Sequence, residues 1–256
     1  MMRILLTNDD GIYARGLSAL YEELSQEAEC LIVAPETEQS AVGHAITISR
    51  PLMVRSAMKN GSFLGYAVLG TPADCVKVGI KELAEKPVDL VVSGINRGSN
   101  AGINVIYSGT VSAATEALIL GIPAIAISLD THKEADFTYA AKFARKMVRL
   151  IINNPIIKSS AINVNIPCLP AEQIKGVCVV RQGKTNIIET FEKRVDPREN
   201  TYYWISAGSA SASDAGDNDV AALAAGFITI TPLQYDLTRY DLMDILQEIV
   251  KKGTSV

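Results

Sequence analysis

Residues 4–11 read Ile4-Leu5-Leu6-Thr7-Asn8-Asp9-Asp10-Gly11: a short apolar run, then a polar turn with two adjacent acids and a glycine. The run is too short for a buried helix and does not alternate, so it reads as a strand covered on both faces. Directly after it, residues 16–27 set Leu17, Leu20, Tyr21 and Leu24 on one helical face. The same unit returns along the first half of the chain. Strand patterns fall at 30–34, 66–69, 88–92 and 124–128. Helical patterns run from Gly70-Thr71-Pro72-Ala73-Asp74 through Leu83, over 110–120 and over 137–152. Apolar strands that alternate with helices predict an α/β fold: a Rossmann-like, doubly wound, mostly parallel sheet in three layers. Ligands in such sheets bind outside the carboxyl ends of the strands. The polar punctuation lies there: Asn8-Asp9-Asp10, residues 35–40 and Asn96-Arg97-Gly98.

Beyond about residue 165 the pattern changes. Residues 177–181 look like a strand, with 202–206 as its hairpin partner, and 207–218 form a small, acidic loop. Residues 227–231 form a strand ended by Pro232, and 240–251 a helix striped by Leu242, Ile245, Leu246 and Ile249. The expected organisation is a core over 1–176 and an extension over 177–256 made of hairpin, final strand and C-terminal helix. A hairpin has little core of its own to bury, so exchange of the hairpin and C-terminal segment between subunits of a homo-oligomer is expected.

Composition narrows the function. The 256 residues carry 24 Lys+Arg and 28 Asp+Glu, a net charge of −4, with 48% apolar residues. A chain of this size folds without disulfides, and its slight acidity gives no footprint for nucleic acid or an anionic membrane. A phosphate-bearing ligand must then be held by local devices such as a cation or backbone N–H groups. Cys30, Cys75, Cys168 and Cys178 are never in a C-x-x-C pair, which excludes a zinc ribbon, an iron–sulfur cluster and a thioredoxin-type site. They read as small buried hydrophobes in a reducing cytoplasm. The first residues do not form a signal peptide, and the apolar stretch 117–129, broken by Gly121 and Pro123, is too short to span a bilayer. A cytoplasmic protein without a membrane partner is expected.

Three segments carry chemistry. Asp9 and Asp10 repel each other, and a hard divalent cation resolves that conflict; a plain turn with a helix cap accounts for the same residues. Asn96, in the Gly- and Asn-rich stretch 93–102, could turn its amide oxygen toward the same crevice, or merely close its own loop. Ser108-Gly109-Thr110 opens a helix, and free N–H groups, two hydroxyls and the positive end of a dipole make an anion site; hydroxyl capping alone is the plainer account. Gly70-Thr71-Pro72-Ala73-Asp74 is either a helix start or a pocket-lining turn. Rival acid-bearing folds fit less well. No aspartate ends the strand 88–92 as a phospho-acceptor would, Asp9-Asp10 is not Asp-x-Asp, and no G-x-G-x-x-G follows the first strand.

These blocks, with Gln39-Ser40-Ala41-Val42-Gly43, Tyr107-Ser108-Gly109-Thr110-Val111, Glu116-Ala117 and Ile228-Thr229-Ile230-Thr231-Pro232-Leu233, resemble in order the SurE (survival protein E) family of metal-dependent nucleotidases. The resemblance implies hydrolysis of nucleoside 5′- and 3′-monophosphates to nucleoside and phosphate. It implies one divalent cation per subunit, Mg²⁺ or Mn²⁺ with Ca²⁺ also compatible, on Asp9, Asp10, Ser40 and Asn96. It assigns phosphate binding to Ser108, Gly109 and Thr110, catalysis to Asp9, Asn96, Ser108 and Thr110, and a pocket rim to Asn8, Gly43, His44 and Asn100. His44 is a candidate general acid or a rim histidine without a proton role. The family also implies dimers or tetramers. A nucleotide-binding or sensing module without turnover is the alternative reading.

Overall fold

The computed structural model describes residues 1–131, 133, 136–154, 157, 159–184, 186–187, 190–206, 210–211 and 216–253. The first strand, β1 (Arg3–Thr7), is fully covered from Ile4 to Thr7. The chain continues through α1 (Arg15–Leu24), β2 (Glu29–Pro35), β3 (Val54–Lys59), β4 (Ser62–Val68) and α2 (Pro72–Val78), which runs on into a wider turn at Gly79–Leu83. Then come β5 (Leu90–Arg97), the single turn α3 (Asn104–Tyr107), α4 (Gly109–Ile119), β6 (Ala124–Asp130), α5 (Thr138–Ile152) and β7 (Ala161–Pro167). The remainder holds β8 (Val177–Val179), β9 (Asn186–Ile187), β10 (Thr190–Val195), β11 (Thr201–Ser206), β12 (Ala210–Ser211), α6 (Asp219–Ala224), β13 (Ile228–Leu233) and α7 (Met243–Gly253).

Nine strands form one sheet in the order β3-β4-β2-β1-β5-β6-β7-β13-β8. The six from β4 to β7 are parallel, and β3 and β13 run antiparallel to their neighbours β4 and β7. Successive strands step outward from β1 in one direction to β2 and in the other to β5. The switch point therefore lies between β1 and β5, with Leu6 opposite Val92 and Thr7 opposite Ser93. A crevice opens beyond the carboxyl ends at such a point.

The two faces are packed differently. Ile4, Leu6, Leu90, Val92, Ile125 and Ile127 meet Leu17, Leu20 and Leu24 of α1 and Ala144, Met147, Val148 and Ile151 of α5. On the opposite face Leu5, Val91, Ala124, Ala126 and Ala161 meet Cys75 and Val76 of α2 and Val111, Ala113, Ala114 and Ala117 of α4. Small side chains on both partners let α4 lie close on the sheet. The start of α2 is a capping box: Thr71 Oγ1 accepts from Asp74 N at 3.1 Å, and Asp74 Oδ2 accepts from Thr71 N at 2.9 Å.

Several expectations are corrected. The hairpin is formed by β10 and β11, with Glu192 opposite Trp204, whereas 177–179 pairs in parallel with β13 at the sheet edge. Both segments are strand formers, and residue type alone did not choose their partners. The final strand continues through Pro232, which sits opposite Ile162. Proline is tolerated there because β8 pairs with β13 only up to Ile230, so no neighbour needs the missing N–H. β3 and β7 were not foreseen, the latter because Asn163 and Asn165 interrupt its apolar pattern. All four cysteines are free thiols, but only Cys75 is buried as expected; Cys30 and Cys178 are half-buried and Cys168 is exposed. Most of the loop expected over 207–218 lies outside the described residues.

Candidate active site

The crevice, about 220 Å³, lies at the switch point and is lined by Asp9, Asp10, Ser40, Asn96, Asn100 and Ser108, with Glu38, Ala41, Arg97, Asn104 and Tyr107. Five segments supply it: the ends of β1 and β5, the loop after β2, α3 with the loop before it, and the start of α4.

Asp9 is nearly covered, and the Thr110 hydroxyl donates to its Oδ1. Burial raises the Asp9 carboxyl above its ordinary range, partly offset by the bonds from Thr110. Asp10 is pushed up to about 6, first by burial and then by the charge of Asp9. The only donor to its carboxylate among the described residues is the Arg97 backbone N–H, at a long 3.4 Å. Two acids forced together and under-served by donors form a site that a cation would stabilise. Gly109 allows this closeness, since a Cβ there would stand 2.8 Å from that of Asp9.

Ser40 Oγ donates to Glu38 Oε1 at 2.5 Å, which leaves the hydroxyl lone pairs for another partner. Asn96 Nδ2 donates to Gly98 O at 2.8 Å, so the amide oxygen is the end it offers to the crevice. β5 reaches Asn96 through a register shift at Gly94. Gly94 has φ +135°, and a Cβ on it would fall 2.3 Å from the Ile127 carbonyl oxygen. Asn100 is held from behind: its N–H donates to Asn165 Oδ1 at 2.7 Å, and its Nδ2 to Ser128 Oγ at 2.9 Å.

The turn Ser108-Gly109-Thr110, expected to bind phosphate, is built differently from a simple pair of hydroxyls. Ser108 caps α4, its Oγ accepting from Val111 N at 3.0 Å, and its O–H remains a donor toward the crevice it lines. Thr110 instead faces Asp9, and neither it nor Gly109 lines the crevice.

Asn8, Gly43 and His44 also stand off the lining. Both ends of the Asn8 amide close the turn onto Gly11, at 3.0 and 3.2 Å. Gly43 N donates to Tyr107 O at 3.0 Å. His44 Nε2 lies 2.8 Å from Glu116 Oε2, and Lys77 Nζ donates to Glu116 Oε1 at 2.5 Å. Burial pulls the Glu116 carboxyl upward, but the bonds and charges of His44 and Lys77 prevail and hold it below its usual value. Thr47 N and Oγ1 donate to Asp74 at 2.9 and 2.7 Å, so the loop bearing Ser40 is pinned by buried acids of α2 and α4. Glu38, Arg97, Asn104 and Tyr107 went unassigned from sequence; the first two stand inside the strand-end segments already marked by their polarity.

A parallel sheet with an acid-lined crevice at its switch point and a helix N-terminus on the rim defines a three-layer α/β protein whose ligand site is assembled from strand-end loops. The family described as survival protein SurE matches residues 4–189, and this chain belongs to that family. It is 64% identical over 256 residues to the 5′-nucleotidase SurE of Syntrophus aciditrophicus, covering 100% of this chain and 96% of the relative. Against the 5′-nucleotidase SurE of Carboxydothermus hydrogenoformans the identity is 48% over 255 residues, with 98% and 97% covered. The crystal structure of the SurE protein from Aquifex aeolicus superposes with a TM-score of 0.82 at 40% identity, covering 96% of this chain and 99% of that one.

Proposed function

We propose that the chain is a nucleotidase that depends on a divalent cation and hydrolyses nucleoside 5′- and 3′-monophosphates to nucleoside and phosphate. The observation that carries this reading is the Asp9–Asp10 pair, two carboxylates raised by burial, Asp10 also by the charge of Asp9, beside neutral oxygen donors and the α4 N-terminus. Nearly full-length relatives named 5′-nucleotidase support it.

Asp9, Asp10, Ser40 and Asn96 would hold the cation, an all-oxygen set suited to Mg²⁺ or Mn²⁺. When bound, the cation supplies Lewis acidity toward a phosphoryl oxygen and lowers the pKa of water. The protein's own groups do the rest. Thr110 fixes the Asp9 carboxylate, and Glu38 turns the Ser40 hydroxyl so that its lone pairs face inward. The Ser108 hydroxyl, on the crevice wall at the positive end of α4, receives a phosphate oxygen, where a donor aimed in advance stabilises developing charge. Phosphate release should be assayed over 5′- and 3′-monophosphates with Mg²⁺, Mn²⁺, Ca²⁺ and EDTA. Cation-dependent release is expected, and Asp9→Asn should abolish it with the fold intact. Silence of the native protein across the whole panel would end the enzyme reading, and nucleotide binding in that case would leave the sensing alternative.

A further inference from the structure

A second cavity, about 260 Å³, adjoins the crevice and shares Asp10, Glu38 and Arg97 with it. Its other walls are unlike the crevice. Tyr13, exposed over 61% of its surface, and Phe137 supply aromatic surface, and Ala14, Arg15 and Gly16 are the cap position and first two residues of α1. The residue at the cap of that helix is Ala14, which has no side chain to accept a leading N–H. The cavity thus joins aromatic faces and two guanidinium groups to backbone donors and two carboxylate acceptors. A planar heterocycle with polar edges matches that inventory, because bases stack on aromatic side chains and guanidinium planes. A phosphate uses neither the aromatic faces nor the carboxylate acceptors. Resting on the nucleotidase reading above, we propose that this cavity is the nucleoside subsite, with the base against Tyr13, the sugar passing the Asp10–Arg97 wall and the phosphate in the crevice.

The test compares a ligand with a base and one without. KM for AMP and the inhibition constant of inorganic phosphate are measured with Mn²⁺ for the native protein and for Tyr13→Ala. The variant should raise KM for AMP about tenfold, the scale of one stacking contact. Inhibition by phosphate should stay unchanged, which also shows that the crevice is intact. Equal weakening of both ligands, or of neither, overturns the proposal. So does an AMP-selective loss in Tyr107→Ala that Tyr13→Ala lacks, since it would move the base to the other side of the crevice. If the native protein releases no phosphate from any monophosphate, the nucleotidase reading fails on its own. Equilibrium dialysis of AMP against both Tyr variants then still decides the subsite by the same comparison.

Discussion

At the scale of single residues, the site is a problem of charge. Asp9 and Asp10 destabilise each other in the metal-free protein, so Asp10→Asn should raise the melting temperature in EDTA. It should also remove the further rise that Mn²⁺ gives the native protein; thermal melts in both buffers check the two halves. Thr110 touches Asp9 rather than lining the crevice. Thr110→Val should therefore lower activity or metal affinity by about 10–100-fold, the usual cost of losing a partner that orients a ligand. Titration calorimetry with Mn²⁺ beside steady-state kinetics would show whether the loss falls on binding or on turnover. Asp9, Asp10 and Asn96 could be singled out from sequence because acids and amides at strand ends are conspicuous. Ser40 could not: a serine in a polar loop carries no mark, and its role depends on Glu38 and on β2 ending beside β1.

At the scale of elements, the loop after β2 is held by ties that make its position sensitive to acid. Glu116 lies below its ordinary value of 4.5 in the folded protein, which therefore binds fewer protons than the unfolded chain. Its stabilising contribution is complete above pH 4.5 and is lost as the pH falls through the folded value. Glu116→Gln should cost about 2 kcal/mol at pH 7, the scale of hydrogen bonds to a charged group. Urea melts of native and variant protein should converge progressively as the pH is lowered below 4.5. Gly94 is constrained from within its strand. Gly94→Ala should destabilise by about 3 kcal/mol through overpacking against the Ile127 carbonyl, read as a shifted urea midpoint. These ties lie between residues far apart in sequence, which is why helix starts such as Thr71-Pro72-Ala73-Asp74 could be read directly and their tertiary partners could not.

For the whole molecule, the parallel core followed from its apolar strands, whereas the pairing after residue 177 did not, because several short strands there compete for few edges. The hairpin β10–β11 exposes Phe191, Tyr203, Trp204 and Ile205, and α7 exposes Ile245, Leu246, Ile249 and Val250. So much apolar surface calls for a covering partner. Removing residues 239–256 should lower the mass measured by light scattering at unchanged far-ultraviolet helix signal per core residue. An unchanged mass would place the subunit contacts elsewhere.

The alanine layer beneath α4 has a consequence for how substitutions would be scored. Ala113, Ala114 and Ala117 act as thin shims between a mount, the sheet, and the part it carries, the Ser108 turn beside Asp9. A thicker shim anywhere along that layer tilts the part. Long side chains under α1 and α5 can change rotamer and absorb an added methyl group, but alanine has no rotamer to change. Valine at Ala113, deep in the core and touching no ligand, should therefore present itself in an assay as a damaged active site in a protein that still folds.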